Sequence, residues 1–254
     1  MCGIFALFNF YNLSLDQLRS KATALSSKMA HRGPDGWGGC GGKGWCLCHE
    51  RLSIVDVAGG KQPLLSVDGH ISMVCNGEIY NFKELYEEIE HKEDILTKSD
   101  SEIIIHLWKI YGVDLVHKLN GMFCFILVDE TDGPENRVVF VARDHVGIKP
   151  LYMARGNNGE IAFSSELKSI CCVEELVEFQ AIPAGHYWTN KTDSFTKFYD
   201  PEWDHDGFKY RECPTSQEMR LVHDGLRKAI VYRLLSDVQL GILVSGGIDS
   251  SIVS

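Results

Sequence analysis

Cys2 directly follows Met1, so removing that methionine would leave one residue carrying both a thiol and a free α-amino group. The amine titrates near pH ~8 and the thiol near ~8.5, so around neutrality either the amine takes the thiol proton or a thiolate stands beside an ammonium. Both routes give a nucleophile that can attack an acyl carbon unaided. Taken alone, Cys2 reads more simply as a small hydrophobe in the apolar strand Cys2-Gly-Ile-Phe-Ala-Leu-Phe8, because free cysteine is among the most buried residue types. Cys46-x-Cys48-His49 suggests a metal site, but no second Cys/His cluster has ligand spacing, and an alternating strand accounts for it better. Ser245-Gly-Gly-Ile-Asp-Ser-Ser251 is a glycine loop without the Gly-Lys-Ser/Thr ending of a Walker A sequence.

The elements that must hold these residues follow from periodicity. Ser14-Leu-Asp-Gln17 reads as a capping box, and Leu15, Leu18, Ala22, Leu25 and Met29 recur at three- and four-residue steps, which predicts an amphipathic helix. His31-Arg-Gly-Pro-Asp-Gly36 breaks it, and a glycine-rich run over 36–44 leads into a strand around 45–54. A second strand over 71–75 ends at Asn76-Gly77, read as a turn dipeptide, and Asn81-Phe-Lys-Glu84 and Ser99-Asp-Ser-Glu102 each read as a helix cap. Residues 122–188 turn β-rich, with runs at 123–128, 138–141, 151–153 and 185–188. Strands and helices in blocks predict α+β layers with stacked sheets rather than a βαβ array. Beyond a linker at 191–214, Thr215-Ser-Gln-Glu218 caps a helix to about Leu235, and an apolar strand over 238–244 runs into the glycine loop, as an α/β nucleotide-binding domain would begin.

Composition narrows the setting. The 254 residues can bury a full core, and a net charge of −10 with no basic stripe argues against nucleic acid and anionic membranes. Nine cysteines, an odd number with Cys171 and Cys172 adjacent, suit reduced thiols and a cytoplasmic location. The apolar N-terminus lacks the basic region of a signal peptide, and no apolar run is long enough to span a membrane.

Six collinear segments carry a resemblance: Cys2-Gly-Ile-Phe, His31-Arg-Gly-Pro-Asp35, Arg51-Leu-Ser-Ile-Val-Asp56, Asn76-Gly-Glu-Ile-Tyr-Asn81, Ser99-Asp-Ser-Glu102 and Arg143-Asp-His-Val-Gly-Ile-Lys-Pro-Leu-Tyr152. Together they resemble the glutamine-hydrolysing asparagine synthetases, over essentially the whole chain. The resemblance implies an N-terminal-nucleophile amidotransferase domain over 1–190, a four-layer αββα sandwich, then the linker and the start of a synthetase ATP-binding domain at 215–254. It implies that Cys2 attacks the side-chain amide of glutamine, leaving a γ-glutamyl thioester. The Asn76 side chain and the Gly77 backbone N–H would form the oxyanion hole. Arg51 would hold the α-carboxylate and Asp100 with Glu78 the α-ammonium, with Leu52, Ser53, Ile54 and Val55 lining the pocket.

The same resemblance makes Val244, Ser245, Gly246, Gly247, Asp249 and Ser250 part of a pyrophosphate loop for ATP, with Mg²⁺ on the phosphates and aspartate as the carboxylate to be activated. His31 and Arg32 read as a turn that shapes the pocket, and Arg143, Asp144 and Lys149 as structural partners. The expectation is a fragment or one half of a split enzyme, a glutaminase at most by itself. Two other readings stay open: an amidotransferase feeding a sugar-phosphate or phosphoribosyl acceptor, and a glutamine-binding module without turnover. The oligomeric state, a homodimer included, is left open.

Overall fold

In the computed structural model, which describes residues 1–201 and 213–254, the chain forms two compact units, Met1–Asp200 and Pro201–Ser254. The first is built on two six-stranded antiparallel sheets. One has the order β10-β8-β9-β1-β3-β2, from β1 (Gly3–Phe8), β2 (Gly36–Gly42), β3 (Trp45–Arg51), β8 (Tyr152–Gly156), β9 (Ile161–Ser164) and β10 (Leu176–Ala181). The other has the order β12-β11-β7-β6-β5-β4, from β4 (Leu64–Leu65), β5 (Ile71–Ile79), β6 (Gly121–Asp129), β7 (Val138–Arg143), β11 (His186–Thr189) and β12 (Phe195–Lys197).

Strand β1 is apolar without interruption because both of its faces are covered. Ile4, Ala6 and Phe8 point into the layer between the sheets, against Val74, Ile126, Val141 and Trp188. Phe5 and Leu7 point the other way, onto Leu18, Ala22, Leu25 and Met29 of helix α1 (Leu15–Ser26) and the turn after it. Period-two alternation therefore serves two cores from one strand. On the far sheet, Trp108 of helix α3 (Ile103–Tyr111) stacks on Phe140 of β7 at 5.0 Å and donates its indole N–H to Asp129 of β6 at 2.7 Å. The layers run helix, sheet, sheet, helix, as expected of the αββα sandwich.

Ser14 and Gln17 make the predicted capping box, and of the five apolar positions on the predicted face only Leu15 stays exposed. Two stretches read as loop are strand. The glycine run at 36–42 is β2, whose glycines admit a neighbouring loop: a Cβ on Gly38 would lie 1.9 Å from the Gln62 carbonyl oxygen. Asn76-Gly77 is not a turn but lies inside β5, opposite Cys124 and Phe123 of β6. Asn81 precedes the short helix α2 (Phe82–Tyr86) without capping it by side chain. Its amide spans the 118–120 turn instead, donating to Lys118 O at 2.9 Å and accepting from Asn120 N at 2.9 Å.

Strand β12 lies within the stretch expected to be a linker, and residues 202–212 of that stretch lie outside the described residues. In the second unit, Thr215 and Glu218 form the predicted capping box of helix α4 (Ser216–Arg233). The strand expected over 238–244 is absent: a strand exists by pairing, and the described residues of this unit offer no second strand. The loop at 245–247 then enters helix α5 (Ile248–Val253).

Candidate active site

Where β1, β3 and β5 end side by side, the first unit opens into a cavity of about 180 Å³. Cys2, Arg51, Asn76, Gly77, Glu78 and Asp100, six positions chosen from sequence, all line it, together with Leu52, Ile54 and Val55. Ser53 does not: its N–H donates at 2.7 Å to Asp35, tying the loop after β3 to the His31–Asp35 turn.

Cys2 is held at two points. Arg32 Nε donates to its carbonyl oxygen at 2.9 Å while Arg32 Nη1 reaches Glu166 at 3.0 Å. The Leu52 N–H meets the Cys2 sulfur at 3.3 Å, a hydrogen bond that favours the thiolate. Burial pushes the thiol up from its ordinary value, opposed by that N–H, the chain-terminal amine, Lys149 and Arg51. The terminal amine, on Met1 in this chain, is pushed down chiefly by burial.

Across the cavity, Asn76 is 1% exposed and its Nδ2 has no hydrogen-bond partner. A buried amide donor without an acceptor costs roughly 1–3 kcal/mol, so its retention points to an acceptor that arrives with a ligand. Beside it Gly77 is sterically required, since a Cβ there would sit 2.1 Å from Met122 O.

Arg51 anchors the pocket wall. Its Nη2 donates to Asp56 O at 2.7 Å and Val55 O at 3.5 Å, and Nη1 to Val57 O at 3.1 Å. Those three bonds use part of a guanidinium with five N–H donors, leaving donors for a carboxylate. Ser99 takes the N-cap position its motif suggested but makes no capping hydrogen bond with its side chain, and Asp100 faces the cavity. Asp100 is 4% exposed and accepts from Ile79 N at 2.7 Å, while Glu102 turns back to Leu96 N and Thr97 N. Burial, with neighbouring Glu78 adding to it, pushes the Asp100 carboxyl up to about 7. Two carboxylates in one recess are relieved by a cation between them.

The lining residues not assigned to the pocket from sequence include His49, Gln62 and Lys149. His49, 1% exposed, donates from Nε2 to Cys75 O at 3.1 Å, and burial holds its pKa at about 4, so the ring is neutral. Gln62 Oε1 accepts from Cys75 N at 2.6 Å and fixes the same strand. Lys149 is 5% exposed and its side chain reaches the cavity. A basic residue at the end of a turn motif gave no signal that it would point inward.

Comparison with known proteins bears on this arrangement. A family profile described as glutamine amidotransferase domain matches residues 1–197. The chain belongs to that family. A second profile, asparagine synthase, matches residues 221–254. The amidotransferase chain is 40% identical, over 258 residues and its whole length, to a probable glutamine-hydrolysing asparagine synthetase of Dictyostelium discoideum. It is also 40% identical over 256 residues to glutamine-hydrolysing asparagine synthetase 2 of Oryza sativa subsp. japonica. It spans 45% and 41% of the lengths of those two relatives. Among solved structures, the glutamine phosphoribosylpyrophosphate amidotransferase of B. subtilis superposes with a TM-score of 0.58 at 18% identity, over 78% of this chain and 49% of that one. An allosteric regulatory enzyme of purine biosynthesis superposes with a TM-score of 0.61 at 17% identity, over 99% of this chain and 62% of that one. At such identities these likenesses establish the fold alone, the αββα sandwich.

Proposed function

We propose that this chain hydrolyses glutamine to glutamate and ammonia with Cys2 as nucleophile, after removal of Met1. The observation that carries the proposal is the unpartnered, buried Nδ2 of Asn76 in the cavity that holds the Cys2 thiol. Arg51 binds the α-carboxylate of glutamine, and Asp100 with Glu78 binds the α-ammonium. The Cys2 sulfur then attacks the side-chain amide carbon, and the carbonyl oxygen becomes an oxyanion held by Asn76 Nδ2 and the Gly77 N–H. Collapse of the tetrahedral intermediate expels ammonia, which leaves with a proton from the Cys2 thiol–amine pair. Water hydrolyses the γ-glutamyl thioester, releasing glutamate and restoring the thiol. All nine cysteines are free, and a reducing cytoplasmic compartment suits a nucleophile that must stay a thiol.

In the whole protein, the ammonia is proposed to amidate aspartate, as the names of the relatives suggest. The donors at 244–250 fit a phosphate: Gly246 takes φ +80°, Ser245 and Ser250 present hydroxyls 3.1 Å apart, and the Gly247 N–H opens α5. Val244 and Asp249 flank them. ATP bound there supplies the adenylyl group that activates the aspartate carboxylate for attack by ammonia. Mg²⁺ would reach the site on the phosphates.

A glutamine-binding module without turnover is the second reading, favoured by the burial that raises the Cys2 thiol. Glutamate release by the purified chain decides between them, with intact mass establishing Met1 loss and Cys2→Ala alongside. Release abolished by Cys2→Ala supports the hydrolase. Glutamine binding without release, in a processed and folded chain, overturns it.

A further inference from the structure

The segment Arg143-Asp-His-Val-Gly-Ile-Lys149 forms a bracket whose backbone groups are bound from within. Arg143 donates to Lys149 O at 2.7 Å, Ile182 O at 2.6 Å and Gly147 O at 2.8 Å. Asp144, fully buried, accepts from Val146 N at 3.2 Å, Ile148 N at 2.9 Å and Lys149 N at 3.0 Å. Gly147 makes the turn at φ +71°, with room for no Cβ between Ala184 and the Arg143 guanidinium. What the bracket leaves over is the Lys149 side chain, 5% exposed, in the wall of the cavity that holds Cys2. Among the described residues no carboxylate lies within ion-pair distance of its ammonium. An ammonium lining a confined cavity interacts more strongly with an anion forming there than it would in bulk water.

We propose that Lys149 is the counter-charge of the nucleophile: its ammonium, lining the cavity of Cys2, favours loss of a proton from the thiol and from the α-amine that Met1 removal transfers to Cys2. The inference rests on the reading of Cys2 as nucleophile. A nearby cation favours the less positive form of every group around it, and the Lys149 charge acts in that sense on both the thiol and the terminal amine. The amine proton passes to water before glutamine binds, and the thiol proton then passes to the freed amine, which delivers it to the departing ammonia.

Two other cations near Cys2 act in the same sense, Arg51 on the thiol and Arg32 on the amine, but each guanidinium is already engaged by other groups, and the remaining groups are neutral or acidic. From β3 come His49, which is neutral, and Arg51, bound to three carbonyls. From the turn after α1 comes Arg32, bound to the Cys2 carbonyl and Glu166. From β5 come Cys75, whose thiol burial pushes well up, and Glu78, and from the turn before α3 comes Asp100. The two acids act in the opposite sense.

The test is the pH profile of Cys2 alkylation by iodoacetamide, read by peptide mass on the chain after loss of Met1, with glutamine hydrolysis measured in parallel. Lys149→Met and Lys149→Gln should move the alkylation midpoint and the acid limb of kcat/KM to higher pH by about one unit, a loss of about tenfold in rate below the limb. Lys149→Arg should keep the original profile. Two neutral variants are used so that misfolding of one leaves the other readable. An unchanged midpoint, or a rate lowered by one factor at every pH, overturns the proposal. A chain whose Cys2 alkylates yet releases no glutamate sinks the hydrolase reading and leaves the alkylation profile to decide the role of Lys149.

Discussion

The backbone N–H of Ile79 and the Oδ2 of Asp100 lie 2.7 Å apart, so the strand that carries Asn76, Gly77 and Glu78 also positions the buried acid beside them. One strand and one turn thus set the donor proposed for the oxyanion and the acids proposed for the ammonium. Since the Asp100 carboxyl is pushed up to about 7 in the ligand-free chain, glutamine affinity should fall as pH drops below 7 and the acid becomes neutral. The measurement is kcat/KM from pH 5.5 to 8.5.

Asp100→Asn separates function from stability. Loss of a charge-assisted contact to the ammonium should raise KM roughly 10- to 100-fold. The folded-state pKa lies above that of an ordinary aspartate, so the stability linked to this proton is full below about 4 and is lost as pH rises through 7. The variant should therefore melt at a higher temperature than the parent at pH 8 and at a similar one near pH 4.5. An equal or lower melting temperature at pH 8 would remove the burial cost from the account.

Asn76→Ala should depress kcat by about 10²- to 10³-fold while leaving KM within a few-fold, as expected when a donor acts mainly in the transition state. A normal turnover number would end the oxyanion assignment.

For Arg51→Ala the expectation is the reverse, a KM raised far more than kcat is lowered. The variant also frees the carbonyls of Val55, Asp56 and Val57, so limited proteolysis between residues 52 and 60 should speed up. Unchanged KM together with unchanged proteolysis would take Arg51 out of both roles.

Gly77→Ala tests the fit of β5 on β6. With Met122 O only 2.1 Å from the position of an added Cβ, the strands must part, at a cost of about 1–3 kcal/mol. Urea unfolding midpoints measure this, and an unaltered midpoint would mean that the strands already have slack.

Most of the αββα frame was legible because helix α1 and strand β1 each follow one period, and both cores read that period directly. Asn76-Gly77 was misread as a turn because the dipeptide specifies permissive backbone, not the use made of it. Here the permissiveness admits Met122, a long-range contact that local pattern does not encode. The glycine run at 36–42 reads as loop for the same reason, the missing side chain of Gly38 making room for the loop at Gln62. Residues 238–244 have the apolar composition of a strand, but hydrogen-bond partners decide whether one forms. Lys149 reads from sequence only as a structural partner, because its direction is set by the bracket at 143–149, which only three-dimensional hydrogen bonding reveals.

Met1 is 55% exposed, whereas the Cys2 carbonyl is clasped by Arg32 and Ile4 to Leu7 are sealed between two cores. An exopeptidase can therefore take the first residue and no more, because the next scissile bond cannot be drawn into an enzyme's cleft without peeling β1 out of the sheet. Trimming would stop by geometry at Cys2, whose new amine the proposed hydrolysis uses, so the strand that follows would both permit and limit that cut.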